Sequence, residues 1–241
     1  MYKIDWSTDK SKTTKTSTKK SNIRYSTDDP IPYYNSTDNI APKVVVGLDR
    51  DGVINIDQGE YTYKVKDFVP IEGSLEAVAK IRRLGHKIAI ITNQGGIAKG
   101  MFSESDVDKV HDYMFELLGE AGCLSVDALY YSASSLRNDM YAKPNVGMFK
   151  RCEEENSFIK FKKGYFVGDK ISDLKAAFKI GATPILVKTG YGLETIKELN
   201  KAIEEIVKTF DKKLKRKGNA KGDDFKSMFS KLMETRSDGT K

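Results

Sequence analysis

Two aspartates one residue apart, Asp49 and Asp51, stand in the stretch LDRDGVIN (48–55), with the apolar VVVG before them and Gly52 after them. In an extended backbone their side chains lie on the same side, because the strand period is two. Two such carboxylates repel each other unless a positive charge stands between them. Further along, Asp169 closes another apolar run, and Asp173 follows a helical turn later. Four acids brought together suit a hard cation, and a small set of oxygen ligands suits Mg²⁺, which keeps several of its waters. No His or Cys cluster points to zinc. A cation there shields the approach of a phosphate dianion to a carboxylate. The acids can then divide the labour. Asp49 attacks phosphorus and forms an aspartyl-phosphate. Asp51 protonates the leaving alcohol and then activates water. Thr92 and Lys143 hold phosphoryl oxygens, since positioning and charge stabilisation carry most of such catalysis. Gly52 lets the chain turn tightly beside them.

These residues need a frame that gathers them. Short apolar runs read as strands at KVVVGLD (43–49), HKIAIITN (86–93), VDALYYS (126–132), KGYFVGDK (163–170) and TPILVKTG (183–190). Between them lie helical patterns. SLEAVAKIRRLG (74–85) starts on a Ser cap, with Leu75, Val78, Ile81 and Leu84 on one face. The segment 103–122 has Ser103 as its N-cap and Val107, Val110, Met114, Leu117 and Leu118 facing inward. Residues 146–156 and 172–181 read as two more helices, the second ending at Gly181, and a last one runs from about Leu193 to Phe210. Strands that alternate with helices and are apolar throughout predict an α/β fold with a parallel sheet covered by helices on both faces. In such folds ligands sit beyond the carboxyl ends of the strands. Asp49, Thr92, Asn93 and Asp169 all fall there, with Lys143 in the segment after the third strand.

The set GLDRDGVIN, IITNQGGIAKGMF, AKP and FVGDKISD, each after an expected strand, resembles the four motifs of the haloacid dehalogenase (HAD) superfamily across about residues 43–200. The resemblance implies a Rossmann-like sheet, an Asp nucleophile and Mg²⁺. It assigns Asp49 as nucleophile and Asp51 as general acid and base. Thr92, Asn93 and Lys143 become phosphate binders, with Arg50, Asn55 and Lys170 beside the substrate. The metal ligands are Asp49, Asp169 and Asp51 through its main-chain carbonyl, with Asp173 supporting them. Lys170 has a second reading as the partner of an aspartate, and Asp173 one as an acid favoured at a helix N-terminus. Within the superfamily the motifs look most like the D-glycero-D-manno-heptose bisphosphate and histidinol-phosphate phosphatases, which have almost no cap domain. No insertion here is long enough for one. The Cys/His zinc loop common in those relatives is missing from YYSASSLRNDMYAKPN, and Ala142 stands where an Arg often precedes the lysine. Arg137 or Lys170 would have to replace that cation. KPNVGMF and TNQGGI also resemble the phosphatase half of polynucleotide kinase 3′-phosphatases.

Three functions compete. The first is an Mg²⁺-dependent phosphomonoesterase acting on a small phosphorylated sugar or related metabolite. The second is a polynucleotide 3′-phosphatase, and the third a non-catalytic adaptor, against which the intact motif set argues. The net charge of +7 favours anionic partners or solubilising tails. Residues 1–41 read as a flexible N-terminal arm, too poor in apolar residues to offset the entropy of ordering. The catalytic domain spans 42–210. Residues 211–241 read as a basic linker and a short amphipathic helix, with Phe225, Met228, Phe229, Leu232 and Met233 at helical spacing. The tails offer contacts to nucleic acid, and the C-terminal helix a contact to a protein partner or to the domain itself. No apolar stretch is long enough for a bilayer, no secretory h-region is present, and two distant cysteines point to a reducing compartment, so the expected location is cytoplasmic. His86 and His111 are expected at a strand edge and on a helix surface.

Overall fold

The computed structural model describes residues 43–136 and 138–216, with side chains through residue 209. The N-terminal arm, Arg137 and the C-terminal amphipathic helix lie outside the described residues.

Five parallel strands form one sheet: β1 (Val45–Leu48), β2 (Lys87–Asn93), β3 (Ala128–Ser132), β4 (Tyr165–Gly168) and β5 (Thr183–Leu186). Their order is β3-β2-β1-β4-β5, so β1 is central and the chain leaves it in opposite directions on the two sides. Helices α1 (Ser74–Arg83), α2 (Glu104–Glu120), α3 (Gly147–Glu155) and α4 (Ile171–Ile180) supply the crossovers. Alternation along the strands divides the core in two. Leu48, Ile88, Ile90 and Leu129 pack with Val78 of α1 and Val107, Val110 and Met114 of α2. Val45, Ala89, Ile91 and Phe166 pack on the other side with Phe149 of α3 and Ala176 and Ala177 of α4. The sheet is therefore covered on both faces, as its apolar strands require. The connection after β1 carries only a short 3-10 turn (Val65–Asp67), and the one after β2 only turns, so no separate cap domain exists among the described residues.

Several expectations need correction. The first helix is capped by Gly73 in the left-handed region, at φ 76, not by Ser74. Ser74 instead donates its hydroxyl to the Ile54 carbonyl at 2.7 Å, tying the loop after β1 to the helix. Leu84 is 52% exposed because it forms the C-cap, where the inward face has ended. β5 is short and largely exposed, as an edge strand is. A second unit begins at Leu193, and α5 (Gly192–Arg216) extends past the expected end. DKKLKR, read as the start of a linker, contains good helix formers and no Gly or Pro. Along α5, Ile196, Leu199, Ile203 and Val207 keep a helical period.

Ser103 caps α2 as expected. Its hydroxyl accepts from the Asp106 N–H at 3.3 Å, and the Asp106 carboxylate accepts from the Ser103 N–H at 3.0 Å. Ser103→Ala should cost about 1 kcal/mol, read as a lower denaturant midpoint with an unchanged slope. No helix among the described residues is long and apolar enough to cross a membrane.

Candidate active site

The carboxyl ends of β1, β2 and β4 meet above the sheet. Asp49, the residue after β1, is buried; its Oδ1 pairs with the Lys143 ammonium at 2.9 Å and accepts from the Arg50 N–H at 2.7 Å. The same ammonium lies 2.8 Å from Asp173 Oδ1 and donates to the Ile91 carbonyl at 2.8 Å. Two carboxylates and one carbonyl oxygen thus surround this buried ammonium. Asn93 fixes the segment that carries this lysine. Its Oδ1 accepts from the Lys143 N–H and its Nδ2 donates to the Lys143 carbonyl, each at 3.0 Å. The Asn93 side chain, expected on phosphate, is thus committed to holding the loop. Asn93→Ala should lower kcat about tenfold to a hundredfold while KM changes less, because a small displacement of a charge-bearing group is costly at a reacting centre. Steady-state kinetics would check that split.

Asp169 and Asp173 complete the cluster. The Tyr191 N–H donates to Asp169 Oδ2 at 2.8 Å, and the Lys170 N–H to Asp173 Oδ2 at 2.9 Å. One carboxylate oxygen each from Asp49, Asp169 and Asp173 lies within 4.8 Å of the others. Burial pushes Asp49 up to about 6; Lys143 opposes that and Asp173 adds to it. Burial also raises Asp169, against Lys170. Burial pulls Lys143 down, but Asp173 and Asp49 outweigh it and raise it. Three buried carboxylates stand against the two ammonium groups of Lys143 and Lys170, and an oxygen-only donor set of this kind fits a hard divalent cation. Gly52, at φ 82, and Gly190 both pass so close to the Asp169 carboxylate that neither has room for a Cβ.

Asp51 is not one of the three acids of this cluster. β1 stops at Leu48, and the N–H groups of Val53, Ile54 and Asn55 all turn back to the Arg50 carbonyl. The strand therefore gives way to a turn directly after Arg50, and Asp51 lies at its start. Asp51 Oδ1 accepts from Arg50 Nε at 3.2 Å, Arg50 Nη2 at 3.0 Å and Asn55 Nδ2 at 2.9 Å. Its Oδ2 accepts from Arg50 Nη2 and Gln94 Nε2, each at 3.0 Å. Burial pushes Asp51 up, but the Arg50 charge and these bonds outweigh it and hold the acid low. The repulsion expected between Asp49 and Asp51 is the weakest of the influences on Asp49.

The remaining expected substrate contacts divide. Thr92 is buried, with its hydroxyl accepting from Gln94 at 3.1 Å. Lys170 sits at the rim, 37% exposed, and donates to Asp57 at 2.8 Å while standing 3.9 Å from Asp169. Arg50 and Asn55, expected beside the substrate, are both fully buried and bonded to Asp51. His111, expected on a helix surface, is buried against Arg50 with its Nε2 at 3.1 Å from Nη1. A signal was present, since positions 107, 110, 111, 114 and 118 share one helical face. Gln94 and Asp57 carried no signal beyond their nearness to the motifs.

A family model described as polynucleotide kinase 3 phosphatase matches residues 45–182, more than half of the chain. The chain belongs to the HAD-superfamily phosphatases. It is an enzyme that hydrolyses phosphate esters, and the matched span of this HAD phosphatase contains every acid and lysine placed above. The chain is 37% identical over 164 residues to the D-glycero-beta-D-manno-heptose-1,7-bisphosphate 7-phosphatase of Pseudomonas putida, covering 68% of this chain and 91% of that one. It is 36% identical over 166 residues to the D-glycero-D-manno-heptose-1,7-bisphosphate 7-phosphatase of Chlorobaculum tepidum, covering 64% and 83%. Among solved structures, the D,D-heptose 1.7-bisphosphate phosphatase from B. bronchiseptica, complexed with magnesium and phosphate, is similar to it with a TM-score of 0.61 and 30% identity, over 64% of this chain and 86% of that one.

Proposed function

We propose that this HAD phosphatase is an Mg²⁺-dependent phosphomonoesterase that works through an aspartyl-phosphate on a small phosphorylated sugar. The observation that supports it most is the buried Asp49 carboxylate, gripped on Oδ1 by Lys143 with Asp169 and Asp173 within 4.8 Å. Asp49 and Asp169 would hold Mg²⁺, with Asp173 bracing Lys143 beside them. When bound, the ion offsets the negative charge on the phosphoryl oxygens. Since Oδ1 of Asp49 is engaged by the Lys143 ammonium and the Arg50 N–H, Oδ2 is the oxygen that attacks phosphorus. As that bond forms, the bond to the leaving oxygen breaks, and Asp51, in the fraction of molecules in which it has taken up a proton, gives that proton to the oxygen. Water then attacks phosphorus, Asp51 takes its proton, and inorganic phosphate departs as Asp49 is regenerated. Lys143 and Thr92 steady the phosphoryl oxygens throughout. The sugar class comes from the heptose-bisphosphate phosphatases that resemble the chain, and the absence of a cap among the described residues leaves the site open to it.

The description of the matching family model favours a second reading, a polynucleotide 3′ end as substrate. Phosphate release should be measured on sugar phosphates, heptose bisphosphates among them, and on 3′-phosphorylated oligonucleotides, each with Mg²⁺ and with EDTA. The proposal expects turnover of a sugar phosphate that EDTA removes. Exclusive turnover of oligonucleotides, with a steep salt dependence, would replace it with the second reading.

A further inference from the structure

Arg50 is among the largest side chains buried completely, and a buried guanidinium is costly unless each of its groups is bonded. Here each is. Nε and Nη2 grip Asp51, Nη2 also donates to the Thr62 carbonyl at 2.9 Å, and Nη1 meets His111 Nε2 at 3.1 Å. A guanidinium cannot accept, so His111 Nε2 is the acceptor and the ring is neutral, with its proton on Nδ1. His111 is itself fixed, since α2 packs on the sheet through Val107, Val110 and Met114, and the ring lies 5.7 Å from that of Tyr131. A single line of contacts runs from the core face of α2 through His111 and Arg50 to Asp51.

We infer that Arg50 and His111 are positioning residues that aim the Asp51 carboxyl for its proton exchange with the leaving group. The inference rests on the acid role of Asp51 in the proposed function. Asp51 lies three residues past the end of β1, at the start of a turn, and its χ angles are set by what it binds. Asn55 and Gln94 hold it from two sides, but only Arg50 reaches both of its oxygens. Proton transfer requires hydrogen-bond reach to the departing oxygen, so loosening this grip should slow the reactions that need a proton and spare those that do not.

The test compares kcat/KM on two substrates, a sugar phosphate with an alkoxide leaving group and dinitrophenyl phosphate, whose leaving group departs without a proton. Asp51→Asn is the benchmark. It should lose about a hundredfold or more on the sugar phosphate and stay within about threefold on the aryl ester. His111→Leu removes the acceptor for Nη1, and should lose about tenfold on the sugar phosphate with less than about a twofold change on the aryl ester. His111→Gln, which can present an oxygen where Nε2 stood, should restore most of the loss. An equal loss on both substrates, or none on either, overturns the inference, because a merely structural role does not discriminate between leaving groups. If circular dichroism shows His111→Leu unfolded, Arg50→Lys, which keeps the charge without the fork, decides by the same comparison. Equal losses in Asp51→Asn would instead overturn the acid role of Asp51, a separate failure.

Discussion

Asp49→Asn stops phosphate release, with kcat lower by at least about ten-thousandfold, because an amide oxygen is too weak a nucleophile to attack phosphorus. The same substitution should stabilise the metal-free chain at neutral pH. Burial holds Asp49 near about 6, above its ordinary 3.8. An acid whose folded value is raised contributes stability that is complete below 3.8 and is lost as pH rises through about 6. The native chain therefore weakens relative to Asp49→Asn across that window, by up to about 3 kcal/mol. Urea unfolding of both proteins in EDTA, at several pH values, measures the difference. Mg²⁺ should reverse the order, since only the native site keeps all three carboxylates. A variant that keeps turnover would show that Asp49 is not the nucleophile, and one without the pH-dependent gain would show that Asp49 is not a buried charge held above its ordinary range.

Lys143→Met should damage both activity and fold. The ammonium is the shared partner of Asp49 and Asp173, at 2.9 and 2.8 Å. Removing it leaves two buried carboxylates facing each other, a change that typically costs about 3–5 kcal/mol. It also removes a preorganised positive charge at the phosphoryl group, worth about a hundredfold to a thousandfold in kcat. Lys143→Arg should not rescue the loss. The ammonium sits among three acceptors in a buried pocket, and a planar fork cannot reproduce that arrangement. Thermal unfolding with and without Mg²⁺ separates the two effects, since the ion should recover part of the stability and little of the rate. Wild-type stability in Lys143→Met without metal would contradict the pairing.

How much could be read beforehand differs between particular residues. Asp49, Thr92 and Asp169 were legible because each sits at or just after the end of an apolar strand, and a parallel sheet brings those ends together. Lys143 was legible from the motif, but its ion pairs with two acids were not, since Asp173 reaches it from α4, thirty residues on. Arg50 and Asn55, near Asp49 in sequence, were expected beside the substrate. The turn after β1 sends both inward, where they bind Asp51. The inward phase of α2 reaches His111 as well as Val110, but a titratable side chain on an apolar face reads as surface until its partner is known.

From the order of residues alone come the periodicities, the caps such as Ser103 and the acids at strand ends. All of these are local, set by spacing along the backbone, so one chain is enough to reveal them. What required the folded molecule is pairing between distant segments. Lys143 bridges Asp49 and Asp173, Asn93 clamps the Lys143 backbone, and His111 seats Arg50 against Asp51. Side-chain bonds of this kind depend on rotamers and burial that many sequences with the same pattern could satisfy differently, and only packing against the sheet selects one arrangement.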